Sequence, residues 1–192
     1  MKYLVPLLLL QGCFKNSTTI VPVVEPASTP TATPHVAIEV GAVINTVSLK
    51  CDDTCNKSQQ DALPAIEAKI NQTLSGDCFK TYFLSPERQF KNTLGLTPTQ
   101  IVEKLRTPIK LTVNYYYKRL TKALGYEDAT DFSIIHINGS KVGDWSTCDM
   151  ASLAAHEMSH SFGFFHDGNS PSNNQNSVPY EVNHAFDNGC CK

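Results

Sequence analysis

A chain of 192 residues that is 41% hydrophobic, with 16 Lys and Arg against 18 Asp and Glu, is long enough to bury one ordinary core without a partner. Its net charge of −2 gives no electrostatic footprint for nucleic acid, and no basic run stands out that would bind an acidic membrane surface. Nucleic-acid binding is therefore set aside.

At the N-terminus, Met1-Lys2-Tyr3 is a minimal basic segment, and Leu4 to Leu10 is an apolar run too short to span a bilayer as a helix. Leu10-Gln11-Gly12-Cys13 follows. This arrangement resembles a bacterial lipoprotein signal peptide, which implies removal of residues 1–12 and a mature chain anchored to the membrane through lipid on Cys13. Phe14, where an aspartate would favour retention at the inner membrane, implies the outer membrane in a Gram-negative envelope. An ordinary secretory signal is the alternative, and both readings take the protein out of the cytoplasm. Residues 13–35 are rich in Thr and Ser and carry Pro22, Pro26, Pro30 and Pro34, a composition expected of an extended tether. The folded domain is expected over residues 36–192.

Val36 to Leu49 reads as one or two strands, with Gly41 as a bend. Ser58 to Leu74 places Leu63, Ile66, Ile70 and Leu74 at helical spacing, and Gly76 stops it. Phe79 to Leu84 reads as a short strand, and Thr97-Pro98 opens a helix that runs to about Leu105. Ile109 to Tyr117 alternates as a strand, Lys118 to Leu124 reads as a short helix ending at Gly125, and Phe132 to Asn138 is another strand. A turn at Asn138-Gly139 and a short extended piece around Lys141 to Trp145 lead into a further helix. Ser146, with Asp149 three residues on, is an acidic variant of the capping box, so that helix is expected from Thr147 to Phe162. His136, alone in a strand, is expected to be a packed or surface residue. The whole is expected to be an α+β fold with a mixed twisted sheet.

The chemistry lies in that last helix and the turn after it, His156-Glu157-Met158-Ser159-His160-Ser161-Phe162-Gly163-Phe164-Phe165-His166-Asp167. On a helix, His156 and His160 leave the same face about 6 Å apart along the axis and can converge on one ion. Gly163 can enter the left-handed conformation without steric cost, so the chain can turn and return His166 as a third ligand. Three protein ligands leave one tetrahedral position open, which marks a catalytic rather than a structural zinc site. Glu157 lies about 100° around the helix from His156 and about 60° from His160, beside the ion rather than on it. That is the place of a general base, taking the proton of a zinc-bound water as it attacks a carbonyl.

H-E-x-x-H-x-x-G-x-x-H-D resembles the zinc signature of the metzincin metallopeptidases, and Asp167-Gly168 is most similar to the adamalysin or reprolysin branch. The resemblance implies a zinc-dependent endopeptidase with His156, His160 and His166 as ligands and Glu157 as base. It also implies that Asp167 steadies the chain around the third ligand, that Ile137 to Trp145 is the edge strand pairing with a peptide substrate, and that a small C-terminal subdomain closes the site. Metzincins carry a methionine beneath the zinc, whereas no methionine follows Met158 here. Ser177-Val178-Pro179-Tyr180 falls where that turn is expected, with Pro179 as an apolar substitute and Tyr180 as a candidate to hydrogen-bond the oxyanion or approach the zinc. Beyond Asp167, Asn169 to Ser177 is expected as a surface loop and Val178 to Phe186 as a short C-terminal helix. The missing methionine also motivates an alternative, a catalytically inactive zinc-binding lipoprotein that serves as a peptide- or protein-binding module.

Without Cys13, six cysteines remain, Cys51, Cys55, Cys78, Cys148, Cys190 and Cys191. An even number in an exported protein implies up to three disulfides, in any of 15 connectivities. A cysteine switch through Cys51 or Cys55 lacks a recognisable propeptide motif around either residue.

Overall fold

In a computed structural model describing residues 46–128, 130–166 and 175–192, the alternating segments become strands. β1 is Val47–Cys51, β2 is Ile109–Tyr116 and β4 is Asp131–Asn138, with the short β3, Gly125–Asp128, between the last two in sequence. The sheet order is β1-β2-β4-β3; β1 and β4 run parallel to β2, and β3 is antiparallel to β4. The registers Leu49 to Leu111 and Val113 to Ile135 put alternate apolar residues on one buried face. The described residues all lie in one unit of the chain, Glu39–Lys192. The expected signal peptide, Cys13, the tether, the strand segment before Thr46, and Asp167 with most of the loop after it fall outside the described residues.

Among the described residues five α-helices complete this α+β fold: α1, Lys57–Ser75; α2, Asp77–Leu84; α3, Pro98–Leu105; α4, Thr147–Ser161; and α5, Val178–Ala185. On α1, Leu63, Ile66, Ile70 and Leu74 form the expected apolar stripe, all buried, and α1 packs on β1 and α4. Removing one such side chain, as in Ile70→Ala, costs about 2–5 kcal/mol because the close-packed core relaxes only partly around the gap. Asn71, buried on α1, accepts from the Thr46 and Val47 amides at 3.0 and 2.8 Å and donates to the Val47 carbonyl at 2.8 Å. Those bonds satisfy edge-strand backbone that would otherwise face solvent.

Three expected elements differ, the extended piece around Lys141 to Trp145 being a run of turns. Phe79 to Leu84 is not a strand but most of α2: Phe79 and Phe83, four apart, are fully buried with ring centroids 4.6 Å from each other. Their aromatic strand propensity yields to packing on one helical face. Lys118 to Leu124 is not a helix. Instead the buried Asn138 donates to the carbonyls of Lys118 and Ala123, at 2.9 and 3.2 Å, and so holds both ends of an irregular loop.

The helices bounded by caps stand where expected. Thr97 and Gln100 form a full capping box on α3, and Ser146 and Asp149 form one on α4. Three disulfides, Cys51–Cys55, Cys78–Cys190 and Cys148–Cys191, select one of the possible connectivities. The last two tie a π-helical turn, Phe186–Cys190, and the residue after it to α2 and to the first turn of α4. Among the described residues no helix is long and apolar enough to cross a membrane.

Candidate metal centre

Every residue of α4 from Met150 to His160 is buried, so its two histidines and its glutamate sit inside the fold rather than on a wet face. His156, Glu157 and His160 are 7, 4 and 8% exposed. Burying such groups costs free energy unless they are paired, neutral or bound to an ion, which already singles them out. After Phe162 the chain turns at Gly163, whose φ of +86° is the left-handed conformation the turn requires. The Gly163 amide donates to the His160 carbonyl at 2.7 Å, and the fully buried Phe164 anchors the returning segment. His166 is thereby delivered beside the other two.

The outcome is a cluster in which one ring nitrogen from each of His156, His160 and His166 lies within 4.8 Å of the others. This triad could hold a metal ion. Two features fit that role. The Nδ1–H of His160 donates to the Phe164 carbonyl at 2.7 Å, fixing the tautomer and leaving the Nε2 lone pair for an ion. The His156 and His160 rings are also held neutral, as ligands must be. Burial drives the His156 imidazole well below the ordinary histidine range, reinforced by His160 and His166, while the Pro179 carbonyl pulls weakly the other way. Burial likewise pushes His160 down to about 4, opposed by the Phe164 carbonyl.

Tyr180, near the start of α5, faces the cluster, its ring centroid 5.1 Å from His156 and 5.2 Å from His166. Pro179, expected as an apolar floor, is buried at the start of α5 beside Tyr180. Behind them Glu181, 2% exposed, accepts from the Tyr82 hydroxyl at 2.8 Å and from Arg88 at 3.3 Å. Burial and then the Glu181 carboxylate push the Tyr82 phenol upward. This network fixes α5 where a methionine turn was expected, and residues 93 and 99 positions apart in the chain gave no local sign of it.

A cavity of about 580 Å³ opens over the cluster, lined by the three histidines, Glu157, Tyr180 and the segment leading into β3. The edge strand here is β3, not Ile137 to Trp145: β4 is internal, paired on both sides, and the chain turns at Gly139. Gly125 opens β3 in close contact with Glu157, since a Cβ there would lie 2.6 Å from Oε1 of Glu157 and 2.8 Å from the His136 carbonyl. His136 is not one of the clustered histidines; its Nδ1 bonds Asn114 at 2.8 Å and its ring stacks on Tyr126. The spacing of the motif announced the histidine triad and Glu157, whereas the contact of Gly125 with Glu157 depends on strand pairing. Comparison with protein-family models and with curated proteins gives no match.

Proposed function

We propose that this protein is a zinc endopeptidase of metzincin type, acting on proteins or peptides outside the cytoplasm. The observation that carries the reading is the convergence of three imidazoles with the buried Glu157 in a cavity bordered by a sheet edge. An all-nitrogen set of three donors suits zinc better than the hard cations calcium and magnesium, which select oxygen.

Zinc held by His156, His160 and His166 would supply Lewis acidity toward a scissile carbonyl and acidify a water toward pKa of about 7. Glu157 takes the proton of the attacking water and passes it to the leaving amine. Its burial keeps bulk water from competing for that proton. Tyr180 donates its hydroxyl to the oxygen on which charge develops. A substrate strand adds to the outer edge of β3, where backbone hydrogen bonds hold it extended beside Glu157. The N-terminal lipoprotein-like segment would hold this domain at the cell envelope through lipid on Cys13.

The test is hydrolysis of a diverse peptide library by the mature protein, after removal of metal and again after one equivalent of zinc. Cleavage that disappears with the metal and returns with zinc is expected. Full zinc binding with no peptide cut would make the protein an inactive zinc-holding binding module instead.

A further inference from the structure

We propose that a second cavity, adjoining the metal cleft, is a side-chain pocket that selects lysine or arginine in the peptide substrate; this rests on the peptidase reading above. On α4, Leu153 and Asp149 lie three and seven residues before His156; beyond the start of α5, Asn183 and Asp187 lie three and seven residues after Tyr180. Offsets of three and seven return to one helical face. Each of the two segments therefore carries a stripe that begins at the metal centre and ends, about 10 Å along, in a carboxylate.

The two stripes meet across one cavity of about 360 Å³. Leu124, Leu153 and Asn183 line both this cavity and the metal cleft, whereas Trp145, Asp149 and Asp187 line the smaller cavity alone. The boundary between the two cavities is formed by Leu124, Leu153 and Asn183, and the carboxylates line the smaller cavity only. A lysine or arginine side chain matches that gradient, its aliphatic stem against leucine and tryptophan and its cationic head toward the acids. No Lys, Arg or His is among the residues lining the smaller cavity, so two like charges face it without a lining cation. Ser152, 5% exposed, lies 3.2 Å from both Asn183 Oδ1 and Asp187 Oδ1, yet its hydroxyl has a single proton to donate. Asp149 and Asp187 are both exposed, so a cationic head group reaching them keeps contact with water at the cavity mouth.

The experiment uses the mature, zinc-loaded protein and peptides in which each position near the scissile bond carries Lys, Arg, Met or Glu in turn. At one position, kcat/KM for Lys and Arg is expected to exceed that for Met by about tenfold or more, with Glu lowest. Asp187→Asn is expected to shrink that ratio, and Asp187→Lys to turn the preference toward Glu. Asp149 is a poor probe because it also caps α4. Peptide binding to zinc-loaded Glu157→Gln protein is measured in parallel by calorimetry. If Lys peptides bind there more tightly than Met peptides but the wild type cuts nothing, the peptidase reading fails and the pocket stands. Cleavage without preference at any position, or a preference unmoved by Asp187→Lys, overturns the pocket. Neither cleavage nor binding overturns both.

Discussion

Replacing Gly125 with alanine perturbs the proposed base without touching a metal ligand. The new methyl group would stand 2.6 Å from Oε1 of Glu157 and 2.8 Å from the His136 carbonyl, where ordinary contact begins near 3.4 Å. The carbonyl belongs to β4, paired on both sides, so the carboxylate is the group that moves. With Glu157 only 4% exposed, a shift of roughly 0.8 Å has little room to be absorbed by rotation alone. Misplacing a reacting group by about 1 Å can cost about 100-fold in rate, or about 2.7 kcal/mol of transition-state stabilisation. Gly125→Ala is therefore expected to bind one zinc per chain as the wild type does, while kcat falls by about two orders of magnitude. Metal analysis and steady-state peptide cleavage on one preparation provide the check. Unchanged kcat would remove Glu157 from the chemistry or show that the base stands elsewhere, and lost zinc would mean that β3 supports the ligands themselves.

Further outcomes follow from the site and its frame. His160→Ala removes one of three nitrogen donors, and zinc affinity measured by competition with a chelator is expected to drop by at least about 100-fold. In the metal-free protein, the depressed His160 makes the unfolded chain bind more protons between pH 6.5 and about 4. Stability present above pH 6.5 is thus lost as pH falls toward 4, by about 3 kcal/mol from this ring, with His156 acting in the same direction. Urea unfolding from pH 7 to 4.5 is expected to show that slope, and a His160→Asn variant to flatten it; equal slopes would contradict the burial argument. Breaking Cys78–Cys190, which closes a separation of 112 residues, is expected to cost about 4–5 kcal/mol, against about 2 kcal/mol for Cys51–Cys55 at a separation of 4. Thermal melts of the two paired Cys→Ser variants give the order, and equal losses would count against the loop-entropy account.

How far the chain announces itself depends on the range of the interactions involved. Capping boxes at Thr97 and Ser146, the stripe on α1 and the alternation in β2 and β4 are local patterns, and each element formed within a residue or two of its expected bounds. His156, Glu157, His160, Gly163 and His166 were legible for the same reason, since one helix and one left-handed turn suffice to assemble them. Phe79 and Phe83 misled because a short aromatic run suits either a strand or a helix, and the packing that decides comes from Phe90, beyond the end of α2, and from Phe186, distant in sequence. The four residues of β3 escaped notice because a short edge strand is defined by its pairing with β4 rather than by periodicity. Asn138 belongs with it: only in the folded chain does its side chain reach Lys118 and Ala123. The support of α5 through Glu181, Tyr82 and Arg88, and the facing stripes of α4 and α5, are likewise products of tertiary register.

The central claim, a metal-binding histidine triad served by Glu157 as general base, meets its most direct test in one comparison. Peptide cleavage is measured for the wild type and for Glu157→Gln, each shown to contain one zinc per chain. Equal zinc content with kcat lowered by about 1,000-fold or more in the variant is the expected result. Equal zinc content with equal kcat would contradict it.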